Sequence, residues 1–275
     1  MRRWMAAGGG QTAMENQFGK LSKIHITAAP KDGKTIIEDF SFTAPFKIMH
    51  PFYEKKDRMT VMLMTASAGI MAGDRQEFGI HVKEGASMEF LSQSYDKIHR
   101  MKEGCAERHT ILAVESNAAL FYTPLPVIPF GGSDYRSEIE VELADETSRF
   151  IFSEVLTCGR SAHGEEFEYT RFQNRISVYQ SGRIVYRDNT LYEPRHTDMR
   201  GFGMYEGFTH LANLLICNEP KSDDWVTAVR EKIDAADQME GGVTRTAMGH
   251  IVIRILGMSG QKLTEMVREI TEYTA

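Results

Sequence analysis

The sequence predicts a mainly β protein whose helices are confined to its C-terminal part. Three observations carry this. Apolar and polar residues alternate with a period of two along most of the chain, a unit of turn plus apolar strand recurs at spacings of 32 and 29 residues, and helical periodicity sets in only from Gly207 onward. Stacked β layers and an ordinary sandwich of hairpins fit the repeat equally well. At 275 residues, 42% hydrophobic and 25% charged, the chain has an ordinary globular composition and length enough for a sizeable core.

The start, "MRRWMAAGGGQTAMENQ", lacks the apolar block of a signal peptide, and its glycines suit a flexible tail over residues 1–20. Residues 21–275 then read as one domain, with Met14 an alternative start to Met1. The longest uncharged stretch, Met59 to Gly73, is shorter than the roughly 20 apolar residues of a membrane helix. No membrane span is expected. Within "TASAGIMAGDRQ", Gly69 and Gly73 are followed by Asp74. A phosphate cradle of the P-loop kind needs a lysine and a hydroxyl there, because the ammonium reaches the phosphates and the hydroxyl holds magnesium. A carboxylate in that place argues against it.

In "EFGIHVKEG", Phe78, Ile80 and Val82 share one strand face and Glu77, His81 and Lys83 the other; "EIEVEL" repeats the pattern with Ile139, Val141 and Leu143 inward. The repeat comprises "VKEGASMEFLSQS" from Val82, "VESNAALFYTPLP" from Val114 and "LADETSRFIFSEV" from Leu143. "RISVYQSGRIVYRDN" reads as two strands with the turn at Ser181-Gly182, and "RGFGMYEGF" as a turn. Two or three helices follow. "SDDWVTAVREKIDAADQ" is capped by Ser222, carries Trp225, Val229 and Ile233 as a stripe and ends at Gly241-Gly242; "GFTHLANLLICN" and "QKLTEMVREITEYT", with Leu263, Met266, Val267 and Ile270, complete the set.

A net charge of -6 disfavours nucleic acid or an anionic membrane as a partner. Cys105, Cys158 and Cys217 lie far apart, no CxxC or HExxH spacing occurs, and the nine histidines are scattered, so no local metal clamp is spelled out. The cysteines read as free thiols in a reducing cytoplasm. In "QSYDKIHR", strand alternation sends Asp96 and Lys97 to opposite faces, which favours a salt-linked polar loop over proton transfer. "CGRSAHGEEF" groups Arg160, His163, Glu165 and Glu166. Two such carboxylates could serve a carbohydrate-active β-solenoid enzyme, although nothing fixes their separation. GxSxG is absent.

Six segments in order, "FTAPFKIMHPFY", "TASAGIMAGDR", "SQSYDKIHR", "FYTPLPVIPF", "CGRSAHGEEF" and "VYRDNTL", resemble the urease accessory protein family UreD, called UreH in some systems. They span Phe42 to Leu191, and a weaker likeness runs from about Leu21 to the last helix. Ala68 and Ile70 depart from the family's proline and glycine, while Ser67, Gly69, Gly73 and Asp74 match; Gly159, Arg160, Ala162, Gly164, Glu165 and Phe167 meet the pattern GRxAxGExF.

The resemblance implies a layered, β-helix-like body with a few helices. It also implies a cytoplasmic, non-enzymatic maturation factor that binds UreF, through it the GTPase UreG, and docks them on apo-urease for nickel insertion. No tightly bound cofactor is implied, only transient nickel. By the matching motifs, Asp74, Glu154 and Glu165 would line a nickel path with Lys97 as a charge partner and Arg160 beside Glu165. Isolated carboxylates can release an ion that a closed Cys/His cage would trap. The helical stripes would offer UreF a surface. The competing readings are the carbohydrate-active enzyme and a β-rich structural module with no metal role.

Overall fold

The structure, a computed structural model, describes Gly19, residues 21–55 and residues 58–273. The tail expected over residues 1–20 lies outside these apart from Gly19. In chain order the first strands are β1 (Leu21–Lys31), β2 (Lys34–Phe42), β3 (Phe46–Ile48), β4 (Phe52–Lys55), β5 (Arg58–Thr65), β6 (Arg75–Val82), β7 (Ser87–Ser92), β8 (Asp96–Ile98) and β9 (Ala106–Val114). There follow β10 (Ala119–Tyr122), β11 (Val127–Pro129), β12 (Asp134–Leu143), β13 (Arg149–Thr157), β14 (Arg171–Gln180), β15 (Arg183–Tyr192) and β16 (His210–Cys217). Helix α1 (Asp223–Asp234), strands β17 (Met239–Arg245) and β18 (Ile251–Gly257), and helix α2 (Gly260–Tyr273) close the chain.

Two sheets result, both with open edges. The first runs β15-β14-β12-β9-β6-β1-β2 and the second β17-β18-β16-β13-β10-β7-β5-β3. Their central strands are parallel: β1, β6, β9, β12 and β14 in one, β5, β7, β10 and β13 in the other. Parallel neighbours cannot be joined by tight hairpins. The chain instead crosses from sheet to sheet, β6 to β7, β9 to β10 and β12 to β13, moving one strand along each time. These crossings are the three sequence repeats, each a sheet-to-sheet turn followed by a strand of the second sheet. The body is therefore mainly β and is not built of stacked hairpins, with its helices at the C-terminal end. Antiparallel hairpins finish the ends, including β14–β15, whose turn holds Ser181 and Gly182 at φ 49° and 74°.

The face between the sheets is filled by Ile24, Ile26, Phe78, Ile80, Leu112, Val141 and Val178 against Met59, Val61, Met88, Phe90, Leu120 and Phe150. The outer face of the second sheet is covered by α1 and α2, which lay Trp225, Val229, Ile233, Leu263, Val267 and Ile270 on Phe121, Ile151, Leu214, Ile216 and Ile253. Both helical stripes are thus spent on the sheet, which corrects the expectation that they offer a partner surface.

Two further corrections concern "GFTHLANLLICN" and Gly241-Gly242. The former is strand β16, not a helix. One face, with Leu215 and Cys217, lies in the inter-sheet core and the other, with Ala212, Leu214 and Ile216, under the helices, so the strand shows a continuous apolar run with no alternation to distinguish it from a buried helix. Helix α1 ends at Asp234, and both glycines lie in β17. A Cβ on Gly241 would stand 2.6 Å from the Arg254 carbonyl and 3.2 Å from Ile233 Cγ2, so glycine is needed for the close approach of β18 and the helix rather than for stopping the helix.

Candidate functional site

Polar residues are gathered in the space between the sheets. Along β13, Glu154 has the parity of Phe150 and Phe152, whose rings fill the inter-sheet core. Its carboxylate accepts from Asn174 Nδ2 of β14, and Asn213 of β16 is its register partner on the other side. On β8 the same alternation turns Asp96 inward and Lys97 outward. Arg108 of β9 donates to Asp96 Oδ2 at 2.6 Å and to Gln76 Oε1 at 2.8 Å, with its guanidinium 4.7 Å from the Phe78 ring centroid. The expected polar loop at Asp96 is therefore partly strand, and its salt link is this buried pair.

Two small cavities flank Glu154. One, about 30 Å³, reaches from Glu154 and Ser153 past Tyr122 and Tyr135 to Asp96 and Arg108. The other, about 10 Å³, reaches from Glu154, Asn174 and Asn213 to Asp188 and Arg254, themselves paired at 2.6 Å. Glu154 is the acidic residue common to both. The Oδ1 atoms of Asn174 and Asn213 are buried with no hydrogen-bond partner among the described residues. Orphaned acceptors of this kind call for water or a cation.

Burial pushes the Glu154 carboxyl up to about 7; the Asp188 charge adds to the rise, and the Asn213 and Asn174 hydrogen bonds oppose it. Burial also disfavours the Arg108 charge, but Asp96 more than offsets it and the guanidinium is held cationic. Burial likewise raises the Tyr122 phenol to about 12.

The other nominated residues lie elsewhere. Asp74 closes its own turn, accepting from Met71 N at 2.8 Å, and its carbonyl accepts from Glu107 N at 2.9 Å. Lys97 is exposed and lines a separate open cavity with Arg160 and His163. Glu165 is gripped by Arg160 through two hydrogen bonds, one of them 2.8 Å, and accepts from Gly131 N at 3.1 Å. The Arg160 hydrogen bonds hold its carboxyl down at about 2. Glu166 is paired with Arg200. A carboxyl so depressed cannot act as a general acid near neutrality, and each acid is tied to its own arginine; this argues against the glycosidase reading. The structure thus does not bring Asp74, Glu154 and Glu165 to one place. Asn174, Asn213, Asp188 and Arg108 were missed from sequence. The signal available was an amide at an inward position of an otherwise apolar strand, as in "HLANLLIC". Among the described residues no group of three or more His, Cys, Asp or Glu is placed to hold a metal ion.

Fold and site together define a mainly β protein with a narrow polar seam of carboxylates, amides and arginines between two open sheets, buried around Arg108 and Asn174 and open to solvent at Arg254. The model of the family described as UreD urease accessory protein matches residues 21–275. The chain belongs to this family. It is similar to the urease accessory protein UreD of Acetivibrio thermocellus, 37% identical over 258 residues covering 94% of this chain and 98% of the relative. UreH of Helicobacter pylori strain P12 is 33% identical over 260 residues, covering 94% and 97%, and UreD of Flavobacterium johnsoniae 28% identical over 253 residues, covering 91% of each. These relatives are named as accessory proteins and not as enzymes.

Proposed function

We propose that this chain is a cytoplasmic maturation factor of one domain, residues 21–275, that scaffolds UreF and the GTPase UreG on apo-urease and passes nickel toward the urease active site. The sheet-to-sheet crossings fit three coils of a layered, β-helix-like scaffold. The observation that carries the reading is Glu154, set between two polar cavities with two orphaned amide oxygens beside it. A conduit needs donors that bind a divalent cation weakly and let it go. A carboxyl with its pKa near 7 suits this, because it is half protonated near neutrality and exchanges a proton for a cation. Asn174 and Asn213 supply neutral oxygens, and Arg108 and Arg254 at the two far ends place positive charge where the ion must not rest. Asp74 and Glu165 serve as turn and salt-link residues in this account, and Lys97 lies off the path.

Deleting the gene and restoring it in a urease-producing host tests the function. Urease purified from the deletion strain should hold little nickel and regain it on complementation. Nickel-replete, active urease in the deletion strain would rule out the maturation role.

A further inference from the structure

The motif-bearing segment that the buried seam leaves unused is the outward face of β8. Lys97 stands there beside an open cavity of about 450 Å³, bounded also by Arg160, His163, His210 and the first residues of α2. That volume lies in the range of small-ligand sites. The Lys97 ammonium has no ion pair or hydrogen bond among the described residues, whereas the charge of Arg160 is already met by Glu165.

His210 is only 7% exposed. Its Nδ1 is 2.8 Å from the Thr209 hydroxyl, while Nε2 has no partner and lies 3.8 Å from the point where a Cβ on Gly260 would sit. The ring turns its Cδ2–Nε2 edge to the start of α2, with Cδ2 at 3.4 Å from the same point. Burial lowers its pKa, so it is a neutral imidazole that can present an N–H to the cavity when Thr209 donates to Nδ1. At the helix start Ser259 Oγ accepts from Lys262 N and Ser259 O from Leu263 N, which leaves the N–H groups of Gly260 and Gln261 unmatched among the described residues. A nearly buried ring donor, an unpaired ammonium and the positive end of a 14-residue helix therefore converge on one space.

We propose that this cavity binds a carboxylate. Its oxygens would be shared between Lys97 Nζ, His210 Nε2–H and the first α2 amides. Lys97 contributes one uncompensated formal charge, which matches a monoanion better than a phosphate dianion. The carboxylate can belong to a free small acid or to an Asp or Glu side chain of a docked segment, because the groups that recognise it are the same.

Histidine ring resonances of the full chain, followed by NMR at constant ionic strength, test the site. The titrants are sodium acetate, the blocked peptide acetyl-Gly-Glu-Gly-amide, and sodium chloride as control. Acetate and peptide should each shift the His210 and His163 resonances saturably, chloride should not, and Lys97→Met should weaken both by about tenfold or more, as for loss of a charge-assisted hydrogen bond. Tighter binding of the peptide would assign the site to an acidic segment, and equal affinities to a free acid. Lys97→Gln provides a second variant should the methionine disturb folding. Equal shifts with chloride, no saturable shift, or unchanged affinity in both Lys97 variants would overturn the proposal.

Discussion

At the scale of single residues, Glu154 has the largest consequences. Its carboxyl titrates near 7 in the folded chain and near its ordinary value of 4.5 when unfolded. Between those values the folded state holds a proton that the unfolded state has lost, so stability falls as pH rises through this window. The full effect is on the order of 3 kcal/mol. Glu154→Gln removes the ionisation and keeps an acceptor for Asn174. It should raise Tm at pH 8 by roughly 4–8 °C and leave it unchanged near pH 4, as measured by calorimetry at both pH values. Equal Tm shifts at both pH values would mean that Glu154 is not held in this state.

Gly69 makes a different point. It sits at φ 147°, and a Cβ there would lie 2.4 Å from the Lys97 carbonyl. Gly69→Ala should cost about 2–4 kcal/mol in denaturant unfolding, against about 1 kcal/mol for Gly33→Ala, where φ is also positive but the space is open. The sequence marked Gly69 and Asp74 as special. It could not show that both serve backbone closure, because Gly69 meets the Lys97 carbonyl of β8 and the Asp74 carbonyl meets Glu107 N of β9.

At the scale of elements, legibility followed burial on one face or two. Strands such as β6 and β12, with one polar face, displayed their period and were read correctly, as were the single stripes of α1 and α2, though not the end of α1. Strand β16 was not, because both its faces are covered. The inward amides Asn174 and Asn213 were equally hidden, since which residue meets Glu154 depends on register between strands distant in sequence. The helices act as a lid on the second sheet rather than as free docking surfaces. Ser222 Oγ accepts from Trp225 N at 3.1 Å, so Ser222→Ala should destabilise by about 1 kcal/mol. Leu263→Ala, at a fully buried position of α2, should cost about 2–5 kcal/mol. Chemical denaturation of the two variants checks both, and a Leu263 effect below that of Ser222 would contradict the packing of α2 on the sheet.

At the scale of the whole molecule, parallel strands alternating between two sheets, with the antiparallel strands β15, β16 and β18 added at one end, bring side chains from β8, β9, β13, β14, β15, β16 and β18 to one inter-sheet seam. No local stretch of sequence contains that set, which is why the seam was not legible from spacing. Glu154 itself lies in the third repeat, "LADETSRFIFSEV", outside the six segments that carry the family resemblance. The central claim is that nickel travels past Glu154. The most direct measurement is the nickel content of urease matured with Glu154→Leu in place of the wild-type chain, alongside co-purification of the variant with UreF and UreG. The account predicts an assembled complex and urease depleted of nickel at least several-fold. Full nickel loading by an assembled Glu154→Leu complex would contradict it.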